Sequence, residues 1–208
     1  MAEKDPATLY KELAPRAPEG RFSLPALLPE EGPLELDIGF GRGLSLFERA
    51  RVSPQSRVIG IEIKTKWAYK VQQRIAREGL SRLCVLCGDA REILSRAEPD
   101  ACLDRVSVHF PDPWWKKRHG KRLVVQERLL DDLARLMRPG GELLIQTDVQ
   151  ERAEQYLEQL RAARAFALGT ETGLVEQNPF GAHSNRERRA IRDGLPVWRI
   201  LATRVQER

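Results

Sequence analysis

Leu34-Glu35-Leu36-Asp37-Ile38-Gly39-Phe40-Gly41-Arg42-Gly43-Leu44 is the stretch on which the reading turns. Apolar residues alternate into an acid and then into three glycines at every second position, after which helical spacing begins. That is the pattern of a buried strand, a tight turn and the first residues of a helix. Glycines in such a turn let the backbone approach a ligand closely at a helix N-terminus. A dinucleotide fingerprint would place its third glycine at position 44, which is Leu44. The spacing here is G-x-G-x-G instead.

The same texture spreads outward on both sides. Arg57-Val-Ile-Gly-Ile-Glu62, Leu83-Cys-Val-Leu-Cys-Gly-Asp89, Asp104-Arg-Val-Ser-Val-His-Phe110 and Glu142-Leu-Leu-Ile-Gln-Thr147 each read as a buried strand, the last after an Arg138-Pro-Gly-Gly turn. Helical spacing falls near 44–51, 65–78, 90–96, 122–137 and 149–163, and a final, half-exposed strand over Pro196–Val205. Strand–helix alternation repeated this often predicts a parallel sheet with helices on both faces. Residues 1–33 carry six of the 13 prolines and little periodicity, so they read as an arm, with one domain over 34–208. The 208-residue chain is 41% apolar and 31% charged, composition for a large core and against disorder. Its apolar runs are too short to span a membrane, and three cysteines without a secretion signal point to the cytoplasm. Cys84 and Cys87 form a C-x-x-C inside a strand, where such positions face opposite ways, so no metal site is expected. Ser45 follows the glycine turn with no partner evident for nucleophilic duty. The pattern suits a monomer and a homodimer alike.

An acid before G-x-G-x-G resembles the class I S-adenosylmethionine-dependent methyltransferases. The resemblance implies a Rossmann-like fold with a mostly parallel seven-stranded sheet. It places Asp37, Gly39, Gly41 and Gly43 against S-adenosyl-L-methionine. Two further strand-end acids agree. Glu62 stands where a carboxylate accepts both hydroxyls of a ribose, and Asp89 where it meets an adenine amino group, although Asp89 also suits a helix cap.

The fourth strand runs into His109-Phe110-Pro111-Asp112-Pro113-Trp114-Trp115-Lys116-Lys117-Arg118-His119-Gly120-Lys121-Arg122. This string closely resembles the signature of the bacterial tRNA (guanine-46-N7)-methyltransferases. So do G-I-E-I at 60–63, G-D-A at 88–90, and R-P-G-G at 138–141 followed by T-D at 147–148. The resemblance covers residues 34 to 204. It implies cofactor contacts at Asp37, Glu62, Asp89 and Asp112, and substrate contacts at Lys116, Asp148, Ser184 and Glu187. Serine at 184 replaces the family's usual threonine, and Arg186 stands where the family carries an aromatic residue.

The implied chemistry suits these residue types. Nitrogen 7 of guanine has an in-plane lone pair and no proton, so alignment and electrostatics, not a general base, are what the enzyme must supply. An aspartate can accept from the donors on guanine's opposite edge; Asp112 is the first choice for that role, with Asp148 and Glu187 as competitors. The net charge of +5 is concentrated in the 116–122 block and in the tail from Ser184. Lys117, Arg118, Lys121 and Arg122 are the expected phosphate contacts, and Trp114 or Trp115 an expected base-packing surface. His119 reads as a phosphate or structural contact, and His109 as a core histidine or pocket wall.

Overall fold

The computed structural model describes residues 5–111 and 124–206. Helix α1 (Pro6–Leu13) leads to β1 (Phe22–Ser23) and a single 3-10 turn (Pro25–Leu27). Then follow β2 (Leu34–Ile38), α2 (Leu44–Val52), β3 (Arg57–Glu62), α3 (Thr65–Glu78), β4 (Leu83–Cys87), α4 (Ala90–Leu94) and β5 (Ala97–Glu98). Next come β6 (Leu103–His109), α5 (Glu127–Leu136), β7 (Met137–Thr147), α6 (Gln150–Ala162), β8 (Phe166–Leu168), α7 (Asn185–Arg192) and β9 (Trp198–Arg204).

Seven strands form one sheet in the order β4-β3-β2-β6-β7-β9-β8. The first five in that order are parallel; β9 runs antiparallel to both neighbours. The chain builds outward from β2 through β3 to β4, then returns to the other side of β2 with β6. This reversal opens a crevice beyond the carboxyl ends of β2 and β6, where ligands of such sheets sit.

Strand β2 is buried at every position, as a central strand covered on both faces must be. Helices α2 and α3 cover one face, packing Leu46, Phe47, Val71 and Ile75 against Val58 and Val85. The other face takes Ile93, Leu129, Leu133, Tyr156 and Leu160 from α4, α5 and α6. Removing that much apolar surface from water, at about 25 cal/mol per Å², is the dominant favourable term.

Three differences from the expected elements have physical causes. The segment before Leu34 contains α1 and β1, the latter pairing with β5 and carrying Phe22 and Leu24 into the core. The strand expected from Glu142 starts at Met137, because Arg138–Gly141 remains in the ladder as an irregularity opposite Leu103 and Arg105. Helix α5 begins at Glu127 rather than near 122, and residues 124–126 are not helical. Strand β9 shows the half-exposed alternation expected of it, with Ile200 and Ala202 buried while Leu201 and Thr203 are partly exposed.

Candidate active site

The glycine turn sits at the crevice. Gly43 is the left-handed N-cap of α2, and a Cβ there would lie 2.8 Å from a Val71 methyl, so packing as well as conformation demands glycine. Gly41 gives its N–H to Glu62 Oε2 at 2.9 Å, while the space a Cβ would fill holds nothing within 4 Å. Glu62 Oε1 accepts from Lys64 N at 2.9 Å. The buried carboxylate at the end of β3 thus ties the loop after β2 to the loop after β3. A carboxylate offers about four acceptor positions, so two remain for ligand hydroxyls.

Asp37, at the end of β2, is buried and accepts a 2.5 Å hydrogen bond from Ser45 Oγ through Oδ2. Its Oδ1 is buried with no hydrogen-bond partner among the described residues. An orphaned anionic acceptor on one side of the glycine turn and a ribose-type acceptor on the other fit S-adenosylmethionine, which carries both an ammonium and a ribose diol. Ser45, expected to be unpartnered, is the donor that fixes Asp37. The pair is structural, since the serine is buried and its proton is committed to the carboxylate.

Asp89 is the N-cap of α4: Oδ1 accepts from Arg91 N, and the Arg91 guanidinium pairs with both oxygens, at 3.0 and 2.6 Å. That hydrogen bonding to Arg91 outweighs partial burial and holds the Asp89 carboxyl below its usual range. The structure therefore gives Asp89 the capping role that its sequence position also allowed.

On the far flank, Asp148 follows β7 and is gripped by Arg186, whose Nε and Nη2 lie 3.0 Å from its two oxygens. The same guanidinium lies 5.6 Å from the Phe110 ring centre. The arginine that replaces the family's aromatic thus docks on one expected substrate residue. Ser184 is the buried N-cap of α7, accepting from Glu187 N at 3.1 Å. Glu187, expected to meet the substrate, is instead 0% exposed: Oε1 accepts from Arg199 Nε at 2.8 Å and Oε2 from Asn178 Nδ2 at 3.2 Å. A buried carboxylate so paired cannot turn outward without stranding the Arg199 charge. It forms a strut between α7 and β9.

Asp112, Lys116, Lys117, Arg118, Lys121 and Arg122, with Trp114, Trp115 and His119, lie outside the described residues.

His109 proves more than a pocket wall. It is buried at the end of β6, with Nδ1 2.7 Å from Gln146 Oε1 and Nε2 3.5 Å from Asp37 Oδ2. Burial disfavours its charge, but Asp37, Gln146 and Glu187 together outweigh burial and raise its pKa above the ordinary value. Nδ1 meets the Gln146 amide and Nε2 faces the Asp37 carboxylate, so the ring braces Asp37 through an Nε2–H. Nothing in the local pattern around His109 marks Gln146 as its partner; only the parallel pairing of β6 and β7 does.

Comparison with known proteins agrees with this geometry. The family described as "Putative methyltransferase" matches residues 31–200. A tRNA (guanine-N(7)-)-methyltransferase of Microcystis aeruginosa is 40% identical over 172 residues, covering 81% of this chain and 82% of that protein. The protein of the same name from Nitrosococcus oceani is 38% identical over 179 residues, 86% of this chain and 75% of its own. Among solved structures, the 16S rRNA methyltransferase KamB superposes with a TM-score of 0.63 at 19% identity, covering 87% of this chain and 92% of that one, a likeness of fold alone. A strand order of the doubly wound type, a glycine turn tied to strand-end acids and identity of this extent place the chain in the tRNA (guanine-N(7)-)-methyltransferase family.

Proposed function

We propose that this protein transfers the methyl group of S-adenosyl-L-methionine to nitrogen 7 of guanine-46 in the variable loop of tRNA. The observation that carries the reading is the Glu62-braced glycine turn beside Asp37, at the switch point next to the strand that runs into the Phe110-Pro111-Asp112-Pro113-Trp114 string. S-adenosylmethionine supplies an electrophilic methyl on a sulfonium centre.

The chain's own residues supply position and field. Glu62 would accept the ribose hydroxyls, and Asp37, held by Ser45 and braced by His109, would receive the ammonium. Guanine N7 carries a lone pair and no proton, so the site's residues would need only to orient the base toward the cofactor's methyl group, with no proton to remove. Asp112 accepts from the ring N–H and amino group on guanine's far edge. Methylation makes the base cationic, so a carboxylate there is favoured more in the transition state than before it. Asp148, paired with Arg186, forms the β7 side of the substrate slot. Lys116 contacts the substrate, while Lys117, Arg118, Lys121 and Arg122 hold phosphates as the base is drawn from the tRNA core. Among the described residues no helix is long and apolar enough to cross a membrane, and the three cysteines are free, which fits a reducing cytoplasm.

The test is methyl transfer from labelled S-adenosylmethionine to purified tRNA, followed by nucleoside mass analysis and position mapping. N7-methylguanosine at position 46 is expected. Methyl on another atom or another guanosine would overturn the assignment.

A further inference from the structure

The chain has eight lysines against 27 arginines, and their distribution is uneven. Three fall at 116, 117 and 121, in the block read as a tRNA contact; three more fall at 64, 66 and 70. The second group occupies the N-cap and the first turns of α3, directly beyond Glu62. All three are exposed, as is Arg42 in the glycine turn alongside. Trp67 gathers two of these cations: the Arg42 guanidinium lies 5.1 Å and the Lys66 ammonium 5.3 Å from its ring centre.

Helix stability does not account for this placement. The positive end of the helix dipole favours acids and capping side chains, yet the N-cap is Lys64, no side chain caps the helix and the first turn holds no acid. Nor do carboxylates neutralise the group. Elsewhere on the surface Arg74, Arg91, Arg135, Arg138, Arg186 and Arg188 each pair with an acid. Among the described residues no carboxylate stands within ion-pair distance of Arg42, Lys64, Lys66 or Lys70. Two of these four cations stand over one aromatic plane, and like charges without carboxylate partners repel one another and favour a polyanion.

Their position relative to the site gives that polyanion a geometry. Strand β3, which leads into Lys64, and β6, which leads into the 116–122 block, flank β2. Two strand spacings separate them, about 10 Å. We infer that Arg42, Lys64, Lys66 and Lys70 form a phosphate-binding surface for tRNA on the β3 side of the glycine turn, in addition to the contacts proposed for the 116–122 block. The RNA backbone is then held beside the methyl-transfer crevice at the end of β3. This rests on tRNA being the substrate, as proposed above.

The test is tRNA binding by the full-length Lys64→Ala/Lys66→Ala/Lys70→Ala protein. Filter binding is measured between low and high salt, beside the wild type and Lys117→Ala/Arg118→Ala/Lys121→Ala. Each phosphate contact contributes about 0.7–0.9 to the slope of log affinity against log salt. The α3 triple variant is therefore expected to lose about 2 units of slope and about 10- to 100-fold of affinity at low salt, while Lys66→Ala/Lys70→Ala, which spares Lys64 and its backbone bond to Glu62, is expected to keep its S-adenosylmethionine affinity. Reversing the charge at one position, Lys66→Glu, is expected to weaken binding more than Lys66→Ala. If the wild type binds and methylates tRNA while the α3 triple variant keeps its affinity and slope, the second surface is refuted and the lysines are a solvated face. If the wild type neither binds nor methylates tRNA, the functional reading itself fails.

Discussion

Glu62→Gln separates a carboxylate that merely touches a ligand from one that builds the site. In the ligand-free protein the two oxygens accept from Gly41 N and Lys64 N, each at 2.9 Å. A glutamine at this position keeps one acceptor and presents an NH2 to the other backbone N–H, so one hydrogen bond is replaced by donor facing donor. A hydrogen bond to a charged acceptor contributes about 1.5–3 kcal/mol. This loss falls on the apoprotein, where both bonds are already made. In a chain of this size each kcal/mol moves Tm by about 2–4 °C, so apoprotein melting is expected to drop by about 3–12 °C. Because the Gly41 turn also loses its anchor, S-adenosylmethionine affinity is expected to fall by about 10- to 100-fold, read by calorimetry. Binding of tRNA through phosphates is expected to hold. The reasoning is refuted if apoprotein melting is unchanged, for then Glu62 does not organise the turn. Unchanged cofactor affinity would remove it from the site altogether.

Three further outcomes follow from the site. For Asp112→Asn, single-turnover transfer is expected to slow by roughly two to four powers of ten, or about 3–5 kcal/mol, with tRNA binding much less affected. The wild-type rate should stay flat between about pH 6 and 9, and a tenfold rise per pH unit would restore a general base to the mechanism. For Lys117→Ala/Arg118→Ala/Lys121→Ala, tRNA affinity and its salt slope are expected to fall while cofactor binding survives; normal tRNA binding would reduce the block to a solvated face. For His109→Gln, the sign follows from the raised pKa of the folded state. The stability that the imidazolium contributes is whole below the ordinary histidine value of about 6.5 and is lost as pH rises through the folded value. Urea unfolding should therefore show the wild type's advantage over the variant shrinking between about pH 6 and 9, and an advantage that grows with pH would show that His109 is neutral.

Contiguous residues determined much of this protein. Alternation of apolar runs and helical spacing from Leu34 to Thr147 specifies a doubly wound sheet, because the periodicity that buries a strand or a helix face is written into neighbouring positions. Three glycines at alternate positions mark a turn no other residue could make, and acids at strand ends mark the ligand edge. Polar α7 escaped this kind of reading because only Glu187 and Ala190 of its eight residues are buried, too few to leave an apolar period. Which acid does what was decided by the tertiary structure. Glu62 reaches Gly41 across 21 residues, His109 reaches Gln146 across 37, and Arg186 reaches Asp148 across 38. Such partners meet only when parallel crossovers bring separate strand ends to one edge. Three acids that look alike in the sequence thus diverge: Glu62 braces the glycine turn, Asp89 caps α4, and Glu187 is buried against Arg199. Burial and counter-charge set a carboxylate's role, and both are properties of the assembled fold.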